Sequence, residues 1–421
     1  MNILIINDTF SIGGAEIFSA RLAQALHKAG HRVWLYTIHN RQHIDRQMLA
    51  HNAPDVPLVT FESRADWLIE KATSVCRRLH VDFNVREAIV ARHLKQFIKV
   101  NQVEVAHAHM FISDYILSLA KDADTNFTRV ASMHGTHEGF LHNYLNNYGY
   151  IIKDYITKLN KCLSTLNGIV YGTDRNIYFL KEPVVNQTIA SQIPTRRIYN
   201  GFQRQPASNS ITRAQLGIQP TDVVFTFMAR GVPAKGWPLV IESFKRLNRP
   251  DSHLILIGDN DYVQQLKQAN QKEANIHFVG FQIQGNEWIN ISDVGLLPST
   301  FGESIPTVIV EFLSQNKPLI VTDIAECANM ITTPEGTAGF VINLPKDDEG
   351  FIDENHKIDP ATLTELMARY FDNPTLVREQ SKLAHDAFEQ FSMDNCVAAH
   401  IDFYQVAMQH NATAGFSTQI S

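Results

Sequence analysis

Four groups of residues have the types and spacing that chemistry on a charged, hydroxyl-rich ligand requires. The most informative is the run 298–307, Pro-Ser-Thr-Phe-Gly-Glu-Ser-Ile-Pro-Thr, which leads into a helical pattern carrying Glu311. Pro306 suits a first helical turn, so Glu303 is expected in the loop and Glu311 about a turn inside the helix. Two carboxylates at different depths can hold hydroxyls of two different sugar rings, and the helix start between them can meet phosphates. A surface glutamate next to a capping glutamate would give the same pattern. Arg230 and Lys235-Gly236 follow the apolar run Val-Val-Phe-Thr-Phe-Met at 223–228. Two cations at a strand end suit a diphosphate, Arg by a forked contact and Lys as a point charge. Solvated surface cations are the plain alternative.

Gly13-Gly14-Ala15-Glu16 lies between a first apolar run and a helical pattern. Glycines there permit positive φ and close approach of a ligand, and a helix start offers unpaired N–H groups to an anion. The segment is neither a GxGxxG fingerprint nor a Walker loop, and a tight strand-to-helix turn explains it equally well. Among 18 histidines, His107 and His109 alternate at one strand end, while His134 and His137 follow another. Neither group has the Cys or carboxylate complement of a zinc site. His134 is the better candidate, because it follows an apolar run and precedes a glycine. Its imidazole, neutral or charged, can donate a hydrogen bond to a reacting sugar. Asp259-Asn260-Asp261 reads as a turn and helix cap rather than a metal loop.

These residues need elements to hold them. Strands are expected at Asn2–Asn7, Arg32–Ile38, Val103–His107, Arg129–Met133, Gly168–Tyr171 and Arg197–Tyr199, with a helix at about Ala15–Ala29 that Gly30 ends. A linker-like stretch with Pro206, Ser208, Asn209 and Ser210 follows Gly201. The rhythm then restarts, with strands at Val223–Met228, Leu254–Ile257, Ile276–Val279, Val294–Leu297 and Leu319–Val321 and helices at Pro238–Leu247 and Thr307–Ser314. Near-continuous apolar strands mean burial on both faces, so the fold class is α/β: two doubly wound domains facing across a cleft. Ligands of such sheets bind beyond the carboxyl ends of the strands, where the four groups fall. Residues 374–410 read as helical and the polar tail from Asn411 as disordered.

Composition bounds the function classes. The chain has 421 residues, 44% hydrophobic and 19% charged, enough for two domains of ordinary size. No apolar run reaches the ~18 residues of a membrane helix, and the start lacks a basic leader, so a cytoplasmic protein is expected. Cys76, Cys162, Cys327 and Cys396 are too scattered for a zinc or redox motif. The net charge of −6 hides a split: residues 1–200 hold 22 basic and 17 acidic side chains, a balance of +5, and residues 201–421 hold 15 and 26, a balance of −11. The overall sign argues against nucleic acid as a partner.

In order and spacing, these pieces resemble glycosyltransferase family 4, the retaining glycosyltransferases of group 1 with the GT-B architecture of two Rossmann-like domains. The matching landmarks are GGAE at 13–16, HG at 134–135, IYNG at 198–201, AR…KG at 229–236, LIGD at 256–259, FVGF at 278–281, SDVGLLPS at 292–299 and the Glu303/Glu311 pair. Ala229, Ile305-Pro306-Thr307 and Phe312 depart from the family pattern. The resemblance implies that Gly13 and Gly14 approach the diphosphate of a nucleotide sugar, and that Arg230 and Lys235 neutralise it. Glu303 would hold hydroxyls of the transferred sugar and Glu311 those of the ribose. Ser304 and the backbone amides of Thr307 and Val308 would complete the donor site, and His134 would lie over the donor sugar. The catalytic set is then His134, Glu303, Arg230 and Lys235, with no metal and no other cofactor.

Also implied are residues 1–203 as the acceptor domain, 204–392 as the donor domain, 393–410 as a helix returning to the first domain, and 411–421 as a tail. The expected reaction moves a sugar to an acceptor hydroxyl in polysaccharide or glycolipid assembly, with the leaving diphosphate taking the acceptor's proton. Partners are the nucleotide sugar and a saccharide or lipid-linked saccharide. A peripheral contact with the inner face of a membrane is expected through Arg77, Arg78, Arg86, Arg92, Lys95 and Lys99 with Val90, Leu94 and Phe97. A solvated helix face fits that stretch as well. A sugar-nucleotide epimerase of similar fold and a non-catalytic nucleotide-sugar-binding module are the alternatives.

Overall fold

A computed structural model of the chain describes residues 1–421 except 12, 40–43, 62–65, 79–83, 123–124, 150–151, 153, 205–209, 283–284, 301–304, 347–355 and 418–421. The chain divides into two compact units, Met1–Gly201 with Met393–Ser421, and Phe202–Ser392.

The first unit is built on a parallel sheet of β1 (Asn2–Asn7), β2 (Arg32–Thr37), β3 (Leu58–Thr60), β4 (Val105–Ala108), β5 (Thr128–Met133), β6 (Gly168–Tyr171) and β7 (Thr195–Arg197), in the order β3-β2-β1-β4-β5-β6-β7. The alternation of side chains along β1 shows why the sheet is covered twice. Ile3 and Ile5 enter one apolar cluster with Phe18, Leu22 and Leu26, whereas Leu4 and Ile6 enter another with Leu94, Ile98 and Leu117. All four strand residues are fully buried.

The second unit repeats the plan with β8 (Val223–Met228), β9 (Ser252–Ile257), β10 (Ile276–Gly280), β11 (Val294–Leu297) and β12 (Leu319–Thr322). A small hairpin, β13 (Thr332–Thr333) with β14 (Gly336–Thr337), precedes the edge strand β15 (Gly339–Ile342). The six-stranded order is β10-β9-β8-β11-β12-β15, and among the described residues the strands of both large sheets pair in parallel throughout. Both units are therefore Rossmann-like. Each has one point where the strand order reverses, between β1 and β4 and between β8 and β11, and ligand crevices of doubly wound sheets open beyond the strand ends there.

Several expectations change. The last sheet strand of the first unit lies at Thr195–Arg197, not Arg197–Tyr199, and β3 and β15 are strands where none is expected from the sequence. The helical stretch at 374–410 is interrupted: a helix at Leu376–Phe388 gives way to a 3₁₀ turn at Glu389–Phe391, and a new helix runs Met393–Ser417. The break occurs where Phe202 N donates to Phe391 O at 2.7 Å and Phe202 pairs with Ser392. The last helix continues past Asn411, whose side chain accepts from Lys121 Nζ at 3.0 Å. Cys396, Phe403, Tyr404 and Ala407 of this helix join the same core as β1.

The basic stretch is split between two helices, Arg77 and Arg78 at the end of Asp66–Arg78 and Arg86, Arg92, Lys95 and Lys99 on Val85–Val100, and the apolar residues of the second are not a free face. Val90 and Leu94 are core residues and Phe97 packs edge-on against Trp34. Lys95 pairs with Asp122, and Arg86 donates to Ile38 O at 3.4 Å.

Candidate functional site

In the first unit, the loops after β1, β4 and β5 carry the candidate groups. Asp8, directly after β1, accepts from the Ser113 backbone N–H at 2.5 Å, at the start of the helix Phe111–Ala120. Burial pushes its pKa up to about 6, against the hydrogen bonds from Ser113 and Ile112. Gly13 and Gly14 open the helix Gly14–Lys28, but neither adopts the positive φ expected; Gly13 is extended at φ −154°. A Cβ on Gly13 would make the Glu16 carboxylate swing aside, whereas a Cβ on Gly14 would meet nothing within 4 Å. Glu16 Oε1 also accepts from Thr9 Oγ1 at 3.2 Å. An acidic group in the first turn complements the positive end of the helix.

His134 ends β5 and is half-buried, and Gly135 beside it has φ 91°, the left-handed turn that starts the helix Thr136–Asn146. A residue with a Cβ would be strained there. His134 does not stand alone. His109 Nδ1 lies 3.0 Å from His134 Nε2, their rings stack at 15°, and Phe18 meets both rings edge-on. His107 lies behind His109 with ring centroids 4.3 Å apart and is held between Tyr404 OH and Ser132 Oγ, each at 2.8 Å. His400, from the C-terminal helix, closes the cluster 5.7 Å from the His107 ring. Burial lowers the pKa of His134 to about 4, helped by repulsion from His400 and His137. Burial thus favours the neutral imidazole of the two forms its sequence left open.

In the second unit, Arg230 follows β8 and is exposed, whereas Lys235 is buried in the 3₁₀ turn Pro233–Lys235. The loop between them is held by Trp237, fully buried, whose indole N–H donates to the Arg230 carbonyl at 2.9 Å. Asn260 caps the helix Asp261–Ala269, accepting from Val263 N, and donates to Gly231 O at 2.7 Å. Asp259-Asn260-Asp261 is thus a turn and cap that fastens the cation loop. Gly236 has φ 95°, and a Cβ there would meet Pro298 O at 3.1 Å. This close approach brings the loop after β8 against the loop after β11, at the point of strand reversal.

The helix Thr307–Ser314 follows that second loop, with Pro306 at its N-cap rather than in its first turn. Glu311 lies one turn in. A Cβ on Gly285 would be 3.7 Å from Glu311 Oε2 and 2.8 Å from Met228 Sδ, so the carboxylate sits close to the end of β8. Burial raises its pKa to about 7, with the Thr307 hydroxyl bond opposing. The structure therefore gathers Arg230, Lys235, the helix start at Thr307 and Val308, and Glu311 around one strand reversal. Glu303 and Ser304 lie outside the described residues. Sequence reasoning missed Trp237, Asp8 and the partnership of His109 with His134. The position of Asp8 directly beyond an apolar strand was the signal available for it.

Among the described residues, no group of three or more His, Cys, Asp or Glu side chains could hold a metal ion. What remains is a cationic loop, a helix start and a carboxylate in one unit, and a neutral histidine over a glycine turn in the other. The first set suits a diphosphate carrying hydroxylated rings.

Two Rossmann-like units bearing these strand-end groups define a protein of the GT-B class. Residues 12–170 match the model of Glycosyltransferase Family 4 and residues 208–358 that of Glycosyl transferases group 1. The chain belongs to glycosyltransferase family 4. It is 26% identical over 217 residues to the Escherichia coli UDP-Gal:alpha-D-GlcNAc-diphosphoundecaprenol alpha-1,3-galactosyltransferase, covering 50% of this chain and 54% of that protein. It is 28% identical over 154 residues to an uncharacterized glycosyltransferase of Methanocaldococcus jannaschii, covering 35% and 38%. The chain thus spans about half or less of the curated relatives it matches. Similar solved structures include Anabaena HepE in complex with UDP, at TM-score 0.65 and 17% identity, covering 96% of this chain and 100% of that one. A Rickettsia africae glycosyltransferase matches at TM-score 0.67 and 14% identity, covering 97% and 98%. At these identities the likeness concerns the fold.

Proposed function

We propose that the protein transfers a sugar from a nucleoside-diphosphate sugar to a hydroxyl of a saccharide or lipid-linked saccharide, with retention at the anomeric carbon. The observation that carries this reading is the assembly at the second strand reversal, where Arg230, Lys235 and the start of the helix Thr307–Ser314 meet beside Glu311. Positive charge and free helix N–H groups stabilise a leaving diphosphate, which is where negative charge develops as the sugar departs. Glu311, when ionised, accepts hydrogen bonds from ribose hydroxyls. Glu303 and Ser304 take the transferred sugar, and Gly13 and Gly14 admit the diphosphate. The departing phosphate takes the acceptor's proton, so the protein's share is positioning and charge stabilisation. Because Arg230 and Lys235 supply the countercharge, the reaction needs no divalent cation, and chelator leaves the rate unchanged. Support for the donor class comes from HepE, solved with UDP, and for the acceptor class from the E. coli relative, named for a diphosphoundecaprenol substrate.

The acceptor side faces a membrane surface, in this reading, through the helix Asp66–Arg78 and not through Val85–Val100. Trp67, Leu68 and Val75 are 58%, 49% and 51% exposed on it, and Lys71 Nζ lies 4.7 Å over the Trp67 ring. Exposed apolar residues beside cations suit an anionic headgroup layer. Among the described residues no helix is long and apolar enough to cross a membrane. The test of the activity is a screen of UDP-, GDP- and ADP-sugars for binding and slow hydrolysis by the full chain. Binding of one base class with its hydrolysis is expected; no binding and no hydrolysis across the set would overturn the assignment.

A further inference from the structure

We infer that His109 is a positioning residue that fixes His134 in one neutral tautomer, with the proton on Nδ1, so that His134 acts as a hydrogen-bond donor and not as a base. The inference rests on the proposed place of His134 over the donor sugar, and its first test is independent of that place.

The argument is a count of protons and partners. His109 Nδ1 and His134 Nε2 are 3.0 Å apart, and between two neutral imidazoles one of these nitrogens carries the hydrogen while the other accepts it. His109 is fully buried, and its Nε2 has no partner among the described residues. If His134 donated from Nε2, His109 would have to carry its own proton on Nε2, leaving an N–H dry. If His109 donates from Nδ1, its dry nitrogen is a bare lone pair. Orphaned buried N–H groups are the rarer and costlier outcome. His109 is therefore the donor, His134 Nε2 the acceptor, and the one proton of His134 resides on Nδ1.

The neighbours reinforce this arrangement. His400 Nδ1 lies 2.8 Å from the Cys396 carbonyl, which only accepts, so His400 also holds its proton on Nδ1 and buries a bare Nε2. His400 thus buries a bare lone pair in the same core, as the assignment requires of His109. Phe18 edge-on, and His107 tilted behind it and tied to Tyr404 and Ser132, hold the His109 ring in register. His107, His109 and His400 are buried and His134 half-buried beside them, so a proton added to any of them is opposed by burial, and on His107, His109 or His134 also by charge on a neighbour. His134 then offers a ligand an N–H from Nδ1. It cannot take the proton of an acceptor hydroxyl through Nε2, which His109 occupies.

The direct test is ¹⁵N NMR of histidine-labelled full-length protein near pH 7, in which His134 is assigned by its loss in His134→Ala. Protonated Nδ1 and bare Nε2 are expected for His134; the proton found on Nε2 would overturn the inference whether or not the protein turns over a nucleotide sugar. The kinetic test compares His109→Phe with His109→Asn, whose amide nitrogen stands in for Nδ1. Phe should lower kcat by about tenfold, the worth of one hydrogen bond, with the KM for donor changed less than twofold. Asn should recover most of the loss. Full activity in His109→Phe, or an Asn variant no better than Phe while both remain folded by circular dichroism, would refute the positioning role.

Discussion

Replacing Glu311 by Gln separates what this carboxylate does for binding from what it costs the fold. Glu311 sits half-buried near Gly285 and Met228, and burial raises its pKa from the ordinary 4.5 to about 7. A folded-state value above the unfolded one means that its stabilising share is complete below 4.5 and is lost as pH rises through 7. Each pKa unit corresponds to about 1.36 kcal/mol, so at pH 8 the ionised group costs the fold at most about 3 kcal/mol. At pH 5 most of that cost is absent, about 1 kcal/mol. Gln has the same shape and no charge. Glu311→Gln should therefore stabilise the second unit by at most about 3 kcal/mol at pH 8 and by about 1 kcal/mol at pH 5. The measurement is urea unfolding of the full chain at both pH values, read by hydrogen exchange on peptides from residues 202–392. The same variant should bind the nucleotide sugar more weakly at pH 8, because it has lost the ionised acceptor. Equal stability changes at both pH values, or a destabilised variant at pH 8, would refute the reasoning.

Other perturbations test separate parts of the structure. Lys235→Ala should weaken both free nucleoside diphosphate and its sugar by about 10- to 100-fold in calorimetry, the worth of a charge-assisted contact; unchanged affinity for both moves the phosphate site elsewhere. Arg129 is fully buried and pairs with Asp114, so Arg129→Met should cost about 3–5 kcal/mol by stranding that carboxylate, and more at pH 8 than at pH 5. Trp237→Phe removes the indole bond to the Arg230 carbonyl and should loosen the cation loop, lowering donor affinity by about fivefold with modest loss of stability. Wild-type protein should sediment with anionic vesicles in preference to neutral ones, and Trp67→Ser with Leu68→Ser should reduce this by at least about tenfold. Equal sedimentation with both vesicle types contradicts the membrane face.

The sheets were legible because their strands are unbroken apolar runs that no surface element would tolerate. Val223–Met228 and Val294–Leu297 appear where the sequence predicts them. The strands it missed, Leu58–Thr60 and Gly339–Ile342, are short edge strands whose identity depends on a neighbour. The loop after β8 was legible for a different reason: Arg230 and Lys235-Gly236 stand directly beyond a strand, and chain proximity carries the pattern. The histidine cluster was not legible. His107, His109 and His134 come from two adjacent strands, but His400 reaches them from the far end of the chain. The basic stretch misled because its apolar residues alternate with its cations on a helix, and only the fold shows which side Val90 and Leu94 take. Gly13 likewise needed its neighbour, since it is the Glu16 carboxylate and not a backbone angle that crowds the position.

The helix Met393–Ser417 belongs to the unit that begins at Met1, so the whole of Phe202–Ser392 interrupts that unit in the chain. During synthesis the order of completion is therefore reversed. The second unit has all its strands before the first has its last helix, and until residues 393–417 emerge, the face that Phe403, Tyr404 and Ala407 cover remains open. A chain cut short near residue 390 would keep the loop of Arg230 and Lys235 yet expose apolar surface in the half that holds His134.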